Sequence, residues 1–182
     1  MPPIEIVGQV ISIVAVIISF FVYQMKSKRG IVVMLSIATG ISCIAYALLG
    51  GTVALVLNLV SILRNVCYYH SDKKILSSKA VPVVLTVLMG VLSIFAWEGY
   101  YSAFFVVGLM LNTLAMGYFG AQNLRWSILL TSTLIMIYNL FIPSIGGTIN
   151  EMVAITSAVV GLIRYHKAQD SESLQTRKET LT

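Results

Sequence analysis

The sequence predicts an all-α fold: a polytopic membrane bundle of seven transmembrane helices, built as two parallel three-helix repeats joined by a linker helix. The composition is the first reason, because 58% of the residues are hydrophobic and only 10% are charged, whereas about a quarter of a soluble domain is charged. The second reason is a series of seven long apolar runs. The third is a short sequence pattern that occurs near the start of two of these runs.

Each apolar run approaches the roughly 20 residues that a helix needs to cross the hydrocarbon core. Helix is favoured over strand because lipid cannot hydrogen-bond to a free backbone, and because the runs are too long and continuous for barrel strands. In chain order the predicted spans are Ile4–Met25, Ile31–Leu49, Val53–Tyr69, Ala80–Trp97, Tyr101–Phe119, Ser127–Ile142 and Ile149–Tyr165.

Local signals support these spans in turn. The first run has no basic leader and no small-residue cleavage site, so it is predicted to be a retained span and not a signal peptide. Glycine accepts positive φ cheaply, so the Gly-Gly-Thr segments at 50–52 and 146–148 favour tight turns before the third and seventh spans. Pro82 lies in the first turn of the fourth span and Pro143 at the end of the sixth, where a missing N–H is tolerated.

The third and seventh runs resemble one another. Gly50-Gly51-Thr52 precedes a run that ends at Tyr69-His70, and Gly146-Gly147-Thr148 precedes a run that ends at Tyr165-His166. A three-helix unit leaves the membrane on the face opposite its start, so a second parallel copy requires one additional crossing. The predicted organisation is a first repeat over 4–70, a linker helix over 80–97, a second repeat over 100–166 and a disordered cytoplasmic tail over 167–182.

Basic residues predict the orientation in the membrane. They occupy alternate connections and the tail, while the other connections have none, and the positive-inside rule assigns the basic side to the cytoplasm. The amino terminus is then outside and the carboxyl terminus inside. The net charge of +5 reflects this topology and contact with the lipid bilayer, not nucleic-acid binding. The residues concerned are Lys26, Lys28, Arg29, Lys73, Lys74, Lys79, Arg125, Lys167, Arg177 and Lys178.

Polar side chains inside the spans are the candidates for function, because they are costly in lipid. We predict that seven of them bind a small polar solute in a cleft between the repeats. For the asparagines the alternative is a hydrogen bond between packed helices. Arg64 lies roughly 9 Å from the cytoplasmic end at about 1.5 Å per residue, so it either snorkels to the interface or faces the cleft as an anion-binding or gating charge. The seven are Asn58, Ser61, Arg64, Asn65, Asn112, Tyr138 and Asn139.

Other polar residues lead to weaker expectations. Gln9 and Tyr46 are further candidates for the cavity wall. Glu151 is expected to stabilise the start of the seventh span through the helix dipole, and a role in proton or cation coupling would require it to reach the cleft. Cys43 and Cys67 show no disulfide or metal spacing and are read as small apolar filler.

The sequence predicts no enzyme, no cofactor and no metal site. It has no paired intramembrane carboxylates, no nucleophile with a nearby base at plausible depth, no metal-ligand spacing and no glycine-rich phosphate loop. The last span lacks a lysine that could form a retinal Schiff base. A homo-oligomer is possible.

The arrangement of two three-helix units and a linker resembles the SWEET sugar facilitators and the PnuC vitamin transporters. The basic first loop, the short second hairpin and the run Ala54…Asn58…Arg64 resemble the YgjV-like family of bacterial inner-membrane proteins. The resemblance implies an inner-membrane transporter or facilitator of an unidentified small polar solute; the alternative is a non-transporting scaffold or assembly protein. The sequence departs from both transporter classes. The Pro-Gln motif of the SWEET class is absent. The two tryptophans, Trp97 and Trp126, lie at span edges, so they do not match the tryptophan-asparagine clusters around the substrate in PnuC transporters.

Overall fold

The computed structural model of the chain describes residues 3–22, 28–70, 78–119 and 121–179. Within these ranges the secondary structure is helical, with seven helices and no strand. Lys26, Lys73 and Lys74, on which part of the predicted orientation rests, lie outside the described residues. The helices are α1 (Pro3–Val22), α2 (Lys28–Leu49), α3 (Thr52–Tyr69), α4 (Ala80–Phe95), α5 (Ser102–Tyr118), α6 (Ala121–Phe141) and α7 (Ile145–Glu179).

Of the seven helices in the described ranges, five are long and apolar enough to cross a membrane: α1, α2, α3, α6 and α7. The other two, α4 and α5, are apolar but shorter, with 16 and 17 residues. The all-helical character and the presence of several membrane-spanning helices are therefore confirmed.

The largest differences from the predicted boundaries occur in the last two helices. α6 begins at Ala121 instead of Ser127, which brings Arg125 into the helix. α7 begins at Ile145 instead of Ile149, and its backbone stays helical to Glu179 where the sequence predicted a disordered tail over 167–182. Residues 165–179 contain no glycine or proline, so nothing in the chain breaks the helix after it leaves the apolar region.

Six helices form a closed ring in the order α1, α2, α3, α5, α6, α7, and α7 packs back against α1. α4 packs on α3 and α5 from outside this ring. Its outward residues remain exposed, among them Val84, Ile94 and Phe95. Exposed apolar side chains of this kind are expected where a helix faces lipid.

The helices alternate in direction, so the bundle has two ends. We call the end where α1, α3, α5 and α7 begin the Glu98 end, and the opposite end the His70 end. The apolar core of the ring is centred on aromatic rings in edge-to-face and tilted contact, with Phe105 4.7 Å from Tyr138 and 6.0 Å from Tyr46 between ring centroids. All three residues are almost completely buried.

The two Gly-Gly-Thr segments adopt different conformations. Gly50 has a φ of +81°, in the region that favours glycine, and it forms the turn before α3 as the sequence predicted. Gly146 and Gly147 instead belong to the first turn of α7, and neither has a positive φ. The expected second glycine turn is therefore wrong: here a side chain is excluded by close packing, because a Cβ on Gly146 would overlap the backbone of Ser12.

Candidate functional site

A cavity of about 580 Å³ lies inside the ring. Each of the six ring helices contributes to its wall and α4 does not. Cavities of roughly 300–1,000 Å³ are typical of sites for small molecules. Much of the wall is apolar, and its charged and amide side chains are Asn58, Arg64, Asn112, Arg125, Asn150 and Glu151.

Hydrogen bonds close the α1–α7 and α2–α6 contacts at the Glu98 end. Ser12 Oγ accepts a bond from Gly146 N at 3.2 Å, and Gln9 Oε1 accepts one from Ile145 N at 3.0 Å. The Gln9 amide also donates to the carbonyl of Pro143. Tyr46 on α2 donates to Asn139 Oδ1 on α6 at 2.7 Å. These bonds join α1 and α2 to α7 and α6, and Ser12, Tyr46 and Gly146 also form part of the cavity wall.

Glu98, in the connection between α4 and α5, ties α3 to α6. Its Oε1 accepts bonds from Val53 N at 2.6 Å and Thr52 Oγ1 at 2.7 Å, and its Oε2 accepts one from Tyr138 at 3.1 Å. The N-cap residue of α3 is Gly51, which has no side chain with which to cap the helix. The carboxylate therefore satisfies donors at the helix start and favours its dipole.

Along α7, a second cavity of about 930 Å³ lies beside the first. Its wall includes Phe20 of α1 and α7 residues from Ile149 to Arg164, and it shares Arg125 and Ser157 with the central cavity. Phe20 and Ile149 are exposed. The α1–α7 contact is thus tightly packed at Gly146 and open along its side towards the His70 end.

Three of the seven predicted solute residues line the central cavity: Asn58, Arg64 and Asn112. They come from α3 and α5, on either side of one contact between the two halves of the chain. Two additional candidates, Tyr46 and Glu151, also line it. The structure thus brings these side chains into one space, and their role in binding a solute stays a prediction.

The other four predicted residues are buried outside the cavity wall. Ser61 donates to the carbonyl of Leu57 at 3.0 Å within its own helix. Asn65 is 2% exposed, and its Nδ2 has no hydrogen-bond partner. Tyr138 belongs to the apolar core and bonds to Glu98, and Asn139 accepts the bond from Tyr46.

Arg64 is buried in the protein and does not extend to the interface. It is 5% exposed, and its Nη1 donates to Thr113 Oγ1 on α5 at 3.0 Å. Its Nε has no hydrogen-bond partner. Among the residues that the structure describes, no carboxylate pairs with it, and the ionisable group that interacts with it is the Tyr68 hydroxyl.

Glu151 reaches the cavity, which the sequence left as a condition for a coupling role. Asn150 Nδ2 donates to its Oε1 at 3.2 Å, and the Ser132 hydroxyl is a hydrogen-bonding neighbour. Within the described part of the chain no set of three His, Cys, Asp or Glu side chains is arranged to hold a metal ion.

Arg125 is a cavity residue that sequence reasoning placed in a loop. Its Nη1 donates to the carbonyl of Gly161 on α7 at 3.0 Å. The available signal was the absence of a helix breaker between Ala121 and Ser127.

These features define a multi-pass helical membrane protein with a cavity between its helices, whose wall carries amide and charged side chains. The chain matches the family described as bacterial inner membrane protein, Imp-YgjV, over residues 6–169, and it belongs to that family. The predicted YgjV-like membership and inner-membrane location are confirmed. No curated protein and no solved structure is significantly similar to the chain.

Proposed function

We propose that this protein transports a small polar solute across the bacterial inner membrane, or facilitates its diffusion, through the cavity inside the ring. The observation that carries the proposal is the cavity itself: about 580 Å³, walled by all six ring helices and containing amide and charged side chains at membrane depth. A structural bundle has no need of such a space, because polar groups facing a void lose packing and hydrogen bonds.

The pattern of helix contacts supports two parallel repeats. If α1, α2 and α3 correspond to α5, α6 and α7, each contact in one half has a counterpart in the other. The α3–α5 contact then corresponds to the α7–α1 contact, and both occur. In this scheme α4 is the linker, and the cavity lies on the axis between the repeats, where transporters with parallel repeats bind their solutes.

The hydrogen bonds at the Glu98 end support a cavity that is closed there and entered from the His70 end. With the predicted orientation, the described conformation faces the cytoplasm. Thiol labelling tests this in a variant in which Cys43 and Cys67 are replaced by serine. We expect Asn112→Cys to react with a membrane-impermeant maleimide in inside-out vesicles and not in right-side-out vesicles.

The matched control is Ile94→Cys, on the exposed face of α4. We expect it to stay unlabelled in both preparations because it faces lipid. If Asn112→Cys is labelled in neither preparation, the cavity is dry and the alternative function, a non-transporting scaffold, is favoured.

Transport is tested in proteoliposomes incubated with a defined mixture of sugars, amino acids, nucleosides and small carboxylates, with trapped solutes quantified by mass spectrometry. We expect at least one solute to accumulate faster than in empty liposomes, and accumulation to fall at least tenfold with Asn58→Ala at equal protein level. Uptake that survives alanine at Asn58, Asn112 and Asn139 together would exclude the proposed site.

A further inference from the structure

We propose that the solute is a small organic anion, and that Arg64 binds its carboxylate or phosphate group inside the cavity. The proposal rests on the proposed function and adds the chemical class of the substrate. It starts from a buried cation without an anionic partner in the described structure.

Burial of the Arg64 charge costs free energy unless a ligand supplies a charge of opposite sign. A guanidinium is always charged, and a buried charge normally has a paired carboxylate or a full set of hydrogen bonds. Arg64 has one described hydrogen bond, to the neutral hydroxyl of Thr113, and its Nε has none. Because the side chain is both 95% buried by the protein and part of the cavity wall, a group that enters the cavity can reach it.

Thr113 does not depend on Arg64. Its hydroxyl also donates to the carbonyl of Leu109 at 2.9 Å, the ordinary bond of a threonine within a helix. Removal of the arginine therefore leaves no orphaned partner on α5. A structural role for the charge would require such a partner, so the arrangement favours a role in ligand binding.

The guanidinium and the wall define the ligand. The planar fork of arginine matches the geometry of carboxylate and phosphate oxygens. Asn58 and Asn112 supply uncharged hydrogen-bonding groups, while Phe105, Leu109 and Ile128 make apolar contacts available. A solute with one oxyanion and an apolar body fits this combination better than a sugar, which has no charge for Arg64 to neutralise.

The binding test uses three probes on the purified full chain in detergent: benzoate, phenyl phosphate and the neutral isostere benzamide, each at constant ionic strength. A ligand that binds the folded form raises its unfolding temperature. We expect benzoate or phenyl phosphate to stabilise the protein and benzamide not to, and the better anion identifies the preferred group. We expect Arg64→Gln to weaken anion binding about 30-fold, equivalent to about 2 kcal/mol.

Two variants serve as controls. Arg164→Gln removes an exposed cation from α7 outside the central cavity and should change anion affinity by less than about threefold. Arg64→Lys retains the charge without the fork and should lie between the wild type and Arg64→Gln. Equal affinity for benzoate and benzamide, or equal losses with Arg64→Gln and Arg164→Gln, would overturn the proposal.

A second measurement needs no ligand. If Arg64 serves binding, Arg64→Met should unfold at a temperature equal to or higher than the wild type, since an uncompensated buried charge is removed. A lower unfolding temperature would make Arg64 structural and refute the proposal. Arg64-dependent anion binding without uptake would refute the proposed transport alone, and uptake of neutral solutes unaffected by Arg64→Gln would refute the anion site alone.

Discussion

Substitution of Glu98 by glutamine tests whether a loop carboxylate holds α3 and α6 together. Gly51 has little space for a side chain, because a Cβ would lie 3.0 Å from the Tyr46 ring and 3.1 Å from the Tyr138 hydroxyl. The packing of these tyrosines therefore disfavours a capping side chain at the start of α3. Glu98 supplies the cap from a different connection and binds Tyr138 with its second oxygen.

The expected cost of Glu98→Gln is about 2 kcal/mol of unfolding free energy. The amide oxygen can still accept from Val53 N and Thr52 Oγ1, but hydrogen bonds to a charged acceptor contribute roughly 1 kcal/mol more than neutral ones. The amide nitrogen cannot accept the Tyr138 proton, and the interaction with the dipole of α3, about 0.3–1 kcal/mol, is lost. Partial exposure of Glu98 reduces the gain from its charge, so the sum is near the lower end of these ranges.

The measurement is reversible unfolding in mixed detergent micelles, followed by circular dichroism. Glu5→Gln is the matched control, since Glu5 lies in the first turn of α1 at the same end of the bundle and has a dipole interaction only. We expect it to cost a few tenths of a kcal/mol. In a double-mutant cycle, Glu98→Gln and Tyr138→Phe should show a coupling of about 1 kcal/mol. Equal costs for the two glutamate variants, together with additive effects in the cycle, would refute the capping role.

Two further predictions concern the α1–α7 contact and the cavity charge. Gly146→Ala should destabilise the protein by about 2 kcal/mol or more, because the new Cβ meets the backbone of Ser12, whereas Gly40→Ala, with open space around its Cβ, should be neutral or slightly stabilising in the same unfolding assay. Glu151→Gln removes a negative charge from the cavity wall that Arg64 also lines. Repulsion between two like charges over roughly 10 Å is worth about 1.5 kcal/mol at an effective dielectric of 20. It should therefore tighten benzoate binding by up to about tenfold, and weaker binding would show that the carboxylate assists the ligand.

The existence and type of the helices could be predicted because lipid leaves few alternatives. A continuous apolar run in a bilayer must satisfy its backbone internally, so composition and length identify helices such as α3 almost to the residue. The starts of α6 and α7 could not be predicted in the same way. Both begin in polar or glycine-containing segments, Ala121–Trp126 and Ile145–Thr148, where the helix is stabilised by contacts with distant residues and not by hydropathy.

The candidate site was predictable only in part, for a related reason. Because polar residues are rare in membrane spans, Asn58, Arg64 and Asn112 stand out in the sequence, and all three line the cavity. It identifies Tyr138 and Asn139 equally well, although both are used in the tight contacts at the Glu98 end. Periodicity assigns a residue to a helix face, but whether that face meets a cavity or a tyrosine depends on how the neighbouring helices cross, which one sequence does not specify.

The distribution of hydrogen bonds between the two halves bears on how such a cavity would change its access. At the Glu98 end α1 and α2 are tied to α6, α7 and their connection by four neutral bonds, donated by Gly146 N, Ile145 N, the Gln9 amide and Tyr46. Neutral bonds between membrane helices contribute about 0.6 kcal/mol each, so breaking these four costs about 2.4 kcal/mol, and by these bonds alone a state open at that end would be populated at about 2 per cent. A ligand that pairs with Arg64 removes the need to shield that cation from water. If the ligand binds the open state more tightly by a free energy similar to the cost of opening, it shifts the population towards the open state. In the proposed transporter these neutral ties of α1 and α2 would allow that end to open, and Glu98 would remain as the charged tie between α3 and α6.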